Sequence, residues 1–500
     1  MCGIAGIFHL ETAKPVDPDR LRKMTDALGH RGPDGSGIWT APGVGLGHRR
    51  LSIIDLEGGA QPMLTPDEAQ ILSFNGEIYN FLEVRAELER LGHQFQTSSD
   101  SEVILFAWRQ WGVDCLKRLN GMFAFAIYDQ RSRQLFLARD RLGVKPLFYA
   151  RVSDGSILFG SELKALLANP LLRRDPNITA VDDYLAFGYV PDQTSLLKGV
   201  KKLAAGHYLL LEQGKPEPES VQYWDMDFSQ RSKGSARDLE EELVELLKQA
   251  VNSRMISDVP LGAFLSGGVD SSAVVALMAE NSRRAVKTCS IGFDQQSLDE
   301  TGYARAIAER FQTDHRERIV ASDDFGLIDT LADHFDEPFA DASALPTYRV
   351  SELARETVTV ALSGDGADEA MAGYRRHVFH HAEERVRGLL PQSFRGPVLG
   401  WLGSVYPKAD WAPRPFRAKS TLLSLARSGP EGYAEAVGVT TPSGRWSVYS
   451  DALQRDLGEY HAEHRMIDLM ENAPAQNGLD QAQYADMKMW LPGDILTKVD

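Results

Sequence analysis

The stretch Val259-Pro-Leu-Gly-Ala-Phe-Leu-Ser-Gly-Gly-Val-Asp-Ser-Ser272 reads as a short apolar strand, a tight Ser-Gly-Gly turn and a helix opening near Ser271. Glycines let backbone N–H groups face an anion, and a helix N-terminus adds a favourable partial charge, so such an element can hold phosphate. It is not a Walker A loop, because no Gly-Lys-Ser/Thr follows, and it is not the G-x-G-x-x-G fingerprint. On either side, helical and strand patterns alternate over 239–255, 262–265, 271–280, 286–293, 303–311 and 358–362. That alternation predicts a parallel, doubly wound sheet. Further on, Ala361-Leu-Ser-Gly-Asp-Gly-Ala-Asp-Glu-Ala-Met-Ala-Gly-Tyr374 follows another β-rich run and places three carboxylates within five residues. Clustered acids are costly in a packed core and reasonable beside a cation. From 377 onward the pattern is mostly helical, and 493–500 reads as a helix with no stop signal, so a truncated chain is expected.

Upstream, residues 1 to about 165 read as short strands, at 3–8, 45–54, 71–74, 122–128, 135–138, 147–151 and 157–160. Asn80 with Glu83 resembles a capping pair opening a helix to about Leu91, with Leu82, Val84, Leu88 and Leu91 toward a core. A sheet-rich α+β domain is predicted. Between about 212 and 238 the chain turns polar and irregular, a composition that suits a connection. The expected division is therefore a first domain over 1–212, a linker over 213–238 and a second domain over 239–500.

Composition narrows the functional classes. Five hundred residues exceed what one hydrophobic core organises, so two or three domains are expected. Fifty-four basic residues against 70 acidic ones leave a net charge of −16, which offers no general basic surface to a nucleic acid. Cys2, Cys115 and Cys289 are odd in number and far apart, so neither a disulfide framework nor a cysteine zinc site is indicated, and a reducing cytoplasm fits. No apolar run approaches the length of a membrane span, and the N-terminus lacks a basic n-region.

Cys2 carries the first chemical signal. Removal of Met1 would expose a thiol whose own α-amino group, with an ordinary pKa of about 7.7 to 8.0, can serve as its base. His9, His30 and His48 are the nearby alternatives. Met-Cys-Gly-Ile-Ala-Gly-Ile-Phe8 is followed in order by His30-Arg-Gly-Pro-Asp-Gly35, His48-Arg-Arg-Leu-Ser-Ile53, Phe74-Asn-Gly-Glu-Ile-Tyr-Asn80 and Ser99-Asp-Ser-Glu-Val103. Together these resemble the N-terminal-nucleophile glutamine amidotransferase domain, an αββα hydrolase fold. Glutamine hydrolysis needs a forked guanidinium for the substrate carboxylate, which Arg50 offers, and carboxylates for its ammonium, for which Asp100 and Glu77 are available. The oxyanion needs preorganised donors, and the Asn75 amide with the Gly76 N–H supplies that pair. The resemblance implies similar roles at these positions.

The 259–272 stretch looks like the pyrophosphatase loop of adenylate-forming synthetases, which implies an α/β, Rossmann-like PP-loop domain with a helical C-terminal part. Asp270 is then the natural magnesium ligand, Ser266, Gly267, Gly268 and Ser271 cradle pyrophosphate, and the backbone at Leu265 and Ile291 contacts adenosine. Taken with 361–374, the chain resembles the glutamine-hydrolysing asparagine synthetases along essentially its whole length. Ser363 and Gly364 match the family's ATP-binding pair, and Asp365 the acid associated with acyl-adenylate formation, although many members carry Glu there. ATP, Mg2+, glutamine and a carboxylate acceptor are the implied small molecules, with aspartate as the default acceptor. Nucleic acid and membrane are not expected partners, and a homodimer is left open. The segment Asp336-Glu-Pro-Phe-Ala-Asp-Ala-Ser-Ala-Leu-Pro-Thr-Tyr348 resembles an acceptor-side loop yet offers no arginine for an aspartate carboxylate. Residues 373–377 and 406–414 resemble members associated with exosortase and extracellular-polymer systems, which keeps a sugar acid or peptide carboxylate open as the acceptor. A catalytically silent scaffold that keeps both folds is the rival of another class.

Overall fold

A computed structural model describes residues 1–295, 299–321, 325–407 and 418–500. Residues 408–414, part of the weaker resemblance, lie outside them.

The first half stacks two antiparallel six-stranded sheets. One runs Val200–Lys202, Phe148–Arg151, Ser156–Gly160, Gly3–His9, Val44–Arg50, Gly35–Ala41. The other runs Val221–Gln222, His207–Glu212, Gln134–Arg139, Gly121–Asp129, Gln70–Ile78, Met63–Leu64. Alternation along the strands separates the cores. Ile4 and Phe8 join Leu46, Ile71, Leu137 and Phe159 between the sheets. Ala5 and Ile7 point the other way, onto Leu21 and Met24 of helix Pro18–Asp26. On the far side, Leu72 and Phe74 pack under helices Phe81–Arg90 and Asp100–Trp111. The result is an αββα sandwich, as expected.

Two local expectations fail. Helix Phe81–Arg90 buries Phe81, Val84 and Leu88, which recur at three to four residues on one face; Leu82 lies off that face and is exposed, and Leu91 is the exposed C-cap beyond the last helical residue. The Asn80 side chain makes no capping bond; its amide donates to the Arg118 carbonyl and its oxygen accepts from Asn120 N–H, so it ties the helix start to a neighbouring turn. Within 213–238, Val221–Gln222 pairs with His207 and Tyr208 at the sheet edge.

The second half holds a four-stranded parallel sheet in the order Asp314–Val320, Lys287–Phe293, Leu261–Phe264, Val360–Leu362. Helices Ala236–Ser253, Val269–Asn281 and Thr301–Phe311 pack on one face through Val251, Val275, Met278 and Ala304. Helix Ala344–Arg355 covers the other face at Cys289 and Val358. Strand Asp314–Val320 was not among the sequence-predicted elements, because an edge strand reading Asp-His-Arg-Glu-Arg carries little apolar signal. From Leu261–Phe264 the chain builds outward on one side, then returns to place Val360–Leu362 on the other. Loops at the C-terminal ends of these two strands therefore meet at a topological switch point, where open α/β sheets bind ligands. A helical region from Arg375 completes this half and also takes in helix Ile178–Phe187, whose Ala186 and Phe187 share a core with Tyr433, Met466 and Met470.

Candidate active sites

Strand Gln70–Ile78 and the first turn of helix Asp100–Trp111 converge on the start of strand Gly3–His9, and a cavity of about 50 Å3 lies between them. Cys2, Arg50, Asn75, Gly76, Glu77 and Asp100 all line it, so every residue expected from the first set of motifs is brought together. Gly76 has φ +153°, and a Cβ there would stand 2.0 Å from the Met122 carbonyl oxygen, so no other residue allows the strands to approach this closely.

Several polar groups in this cavity have no partner. Asn75 is 1% exposed, and neither its amide nitrogen nor its oxygen is hydrogen-bonded; Glu77 Oε1 is likewise free. Buried polar atoms are rarely left so, and a cluster of them around one thiol marks a site built for a ligand. The Cys2 sulfur accepts from Leu51 N–H at 3.4 Å, while burial raises its pKa. Burial and the neighbouring Asp100 charge push Glu77 up to about 7. Asp100 is pushed up to about 6 by burial, against hydrogen bonds from the N–H groups of Ile78 and Ser101. Arg50 reaches the cavity with its guanidinium bound to its own loop, donating to the carbonyls of Leu56 at 2.9 Å and Asp55 at 2.6 Å.

The three histidines lie elsewhere. His48 is buried, bonded to the Phe74 carbonyl, and held down to about 4 by burial. His30 contacts Glu162, and His9 sits on the opposite sheet face near Asp154. No histidine is among the described residues lining the Cys2 cavity. Sequence reading missed Leu51, Ile53, Ile54, Gln61, Met122 and Lys145, which also form its walls. Single apolar, amide or lysine side chains such as these carry no chemical signature of their own.

In the second half, Gly268 caps helix Val269–Asn281, and Gly267 takes φ +83°, with its Cα facing Tyr303 so closely that a Cβ would lie 2.5 Å from that side chain. Ser266 and Ser271 hydroxyls bond at 2.9 Å, and Gly268 N–H donates to Ser266 Oγ at 3.2 Å, which closes the loop into a nest. Leu265 is buried at the strand end and donates to the Cys289 carbonyl, with Ile291 two residues further along that neighbouring strand. The acidic stretch is brought against this loop: a Cβ on Gly364 would stand 2.8 Å from Asp270 Cβ and 2.9 Å from Ser271 N. Burial, then the charge of Asp368, raises Asp270. Ser363 and Gly364 are half-buried beside the loop and Asp365 is exposed. Of the three clustered acids, Glu369 turns away; it is 1% exposed and accepts from the Tyr374 hydroxyl at 2.6 Å. No group of three His, Cys, Asp or Glu suited to a metal occurs among the described residues. The acceptor-side loop lacks an arginine in sequence, but the fold brings Lys498 to it, bonded to Asp341 and Ser343 at 2.7 Å each.

Residues 1–224 match the glutamine amidotransferase domain family, and residues 242–500 match the asparagine synthase family. An N-terminal-nucleophile half joined to a nucleotide-binding half defines an ATP-dependent carbon–nitrogen ligase that hydrolyses glutamine. Asparagine synthetase [glutamine-hydrolyzing] 1 of Bacillus subtilis is 33% identical across all of this chain and 77% of its own length. A Methanocaldococcus jannaschii protein whose name places it among these enzymes is 41% identical over 78% of each chain. Asparagine synthetase [glutamine-hydrolyzing] 3 of Bacillus subtilis is 35% identical over 75% of this chain and 63% of its own. The chain belongs to the glutamine-hydrolysing asparagine synthetase family. No described helix is long and apolar enough to cross a membrane.

Proposed function

We propose that Cys2 attacks the side-chain amide of glutamine and that the released ammonia amidates a carboxylate, by default that of aspartate, activated by ATP as its adenylate. The observation that carries this reading is the unpartnered Asn75 amide, buried in the same cavity as Cys2, Glu77 and Asp100. Its N–H and that of Gly76 are donors fixed in place before an oxyanion forms, so they cost no reorganisation when charge develops. Glu77 and Asp100 offer two carboxylates to the substrate ammonium, and Arg50 offers the N–H groups its loop leaves free to the carboxylate. The freed α-amine of Cys2 takes the thiol proton and returns it to departing ammonia, and water then hydrolyses the resulting glutamyl thioester to glutamate and the free thiol.

At the second site, the Ser266–Ser271 loop holds pyrophosphate, with adenosine against Leu265 and Ile291. Ser363 and Gly364 close the pocket from the neighbouring strand, and Asp365 faces the acyl group. Asp270 and Asp368 bear on one another, and two carboxylates with phosphate oxygens are a donor set that fits magnesium, which needs no all-protein cage. When bound, magnesium supplies neutralisation of developing phosphate charge. The enzyme is read as cytoplasmic, and a homodimer is compatible with it.

The reading is tested with full-length protein. Cys2→Ala should abolish glutamine use and leave ammonia-dependent amidation, measured as AMP formed with a panel of aspartate, sugar acids and peptide carboxylates. Loss of both activities in a folded variant contradicts the division of labour. A best rate with an acceptor other than aspartate replaces the default.

A further inference from the structure

The loop that walls the Cys2 cavity at Ile53 and Ile54 is held from outside its own domain. Asp258 Oδ2 accepts from Asp55 N–H at 2.8 Å, and Asp258 N–H donates to the Ile53 carbonyl at 3.0 Å, so two bonds bracket Ile54. Asp55 sits at φ +51° and is the hub of this loop. Its carbonyl receives Arg50 at 2.6 Å, and its carboxylate accepts from Gly58 N–H and Ser98 N–H at 2.8 Å each. Ser98 lies two residues before Asp100. A second contact comes from the same segment: the Arg254 guanidinium stands 4.1 Å from the centre of the Tyr79 ring, and its charge bears on Glu77.

Asp258 is also short-coupled to the other site. Only Val259 and Pro260 separate it from strand Leu261–Phe264, which runs directly into Ser266–Ser271. Pro260 is pinned laterally, its carbonyl receiving Thr359 N–H at 2.9 Å from the chain that leads into strand Val360–Leu362. The position of Asp258 is thus set by the two strands whose loops meet at the nucleotide end.

From this we infer that Asp258 of the synthetase half is a positioning residue for glutamine binding in the other half. The inference rests on reading the Cys2 cavity as the glutamine site. Its carboxylate fixes the Asp55 peptide, and through it the Arg50 guanidinium and the Ile53–Ile54 wall. Without it, Asp55 N–H loses its partner, and of the two bonds from the synthetase half only that from Asp258 N–H to the Ile53 carbonyl still holds the wall that closes on glutamine.

The experiment compares Asp258→Ala and Asp258→Asn in the full-length enzyme. Asp258→Ala is expected to raise the KM for glutamine about tenfold, the worth of one good hydrogen bond, with the smaller part of the loss in kcat. Asp258→Asn keeps an acceptor oxygen and is expected to stay within about threefold of wild type. Ammonia-dependent AMP formation, which does not use the loop, should be unchanged in both and shows that the variants are folded. An unchanged KM in Asp258→Ala, or a loss carried wholly by kcat, overturns the inference while Asp100→Asn still impairs glutamine use. If Asp100→Asn leaves glutamine kinetics untouched as well, it is the assignment of the cavity that fails.

Discussion

Arg31 Nε donates to the backbone carbonyl of Cys2 at 2.8 Å, so the residue carrying the thiol is held by a buried guanidinium and not only by its strand. The same side chain binds Glu162 at 2.8 Å and Asp500 at 2.6 Å, and Lys145 joins Asp500 at 2.8 Å. One arginine thus links Cys2 to Asp500, which follows helix Leu496–Val499 of the other half. Arg31→Gln leaves two buried carboxylates short of their partner. Leaving a buried charge wholly unpaired costs about 3 to 5 kcal/mol, and since Lys145 stays on Asp500 and His30 on Glu162, a smaller but measurable loss in equilibrium denaturation is expected. Glutaminase turnover should fall at least about tenfold, because the Cys2 carbonyl loses a charge-assisted bond. Unchanged turnover would show that the contact does not position Cys2.

Asp270→Asn should cripple the ATP step and spare glutaminase turnover. The amide keeps the shape of the carboxylate but loses the charge that would hold magnesium against pyrophosphate. Normal AMP formation by this variant would remove Asp270 from the proposed site.

Glutamine binding should depend on pH through Glu77 and Asp100. Each has a folded-state value above its ordinary one, about 7 against 4.5 for Glu77 and about 6 against 3.8 for Asp100. Ionising them therefore costs stability, a cost that sets in as pH rises through the ordinary values and is complete above the folded ones. A bound ammonium offsets it and favours the ionised pair. The KM for glutamine should thus fall as pH rises from about 5.5 to about 7.5 and then level. Glu77→Gln should leave only the lower transition, near that of Asp100. A glutamine KM independent of pH across this range would argue that neither carboxylate meets the substrate.

Retention of Met1 should silence glutaminase without unfolding the domain. With Met1 in place, its amine donates to the Arg31 carbonyl at 2.9 Å, and burial, then the Arg31 charge, lowers its pKa to about 5. The amine is then spent in a hydrogen bond and separated from the thiol by one residue. Mass spectrometry and rate assays on processed and unprocessed protein settle this. Full activity with Met1 present would mean that another group is the base.

What could be read from the chain depended on how local each feature is. Ser266-Gly-Gly and Asn75-Gly76 are contiguous, and their backbone demands are visible in four or five letters. The Cys2 cavity walls at Ile53, Ile54, Met122 and Lys145 were not visible, since nothing in a loop isoleucine distinguishes a cavity wall from a surface residue. Glu369 was read with its acidic neighbours, yet a helical turn points it into the core toward Tyr374, a direction that residue spacing over five positions does not specify.

The sequence by itself determined the two-part architecture and the strand–turn–helix at Ser266-Gly-Gly, and it singled out Cys2 as the candidate thiol. Periodicity and glycine placement are local properties that survive without knowing any long-range contact. Tertiary structure alone decided that Gly364 packs on Asp270, that Lys498 reaches the loop at Asp341, that helix Ile178–Phe187 belongs to the core of the C-terminal helices, and that Asp258 grips the loop at Asp55. Each of these joins residues at least 94 apart in the chain. Such pairs are selected by how sheets and helices bury their apolar faces against each other, a choice made by the whole fold and written in no single segment.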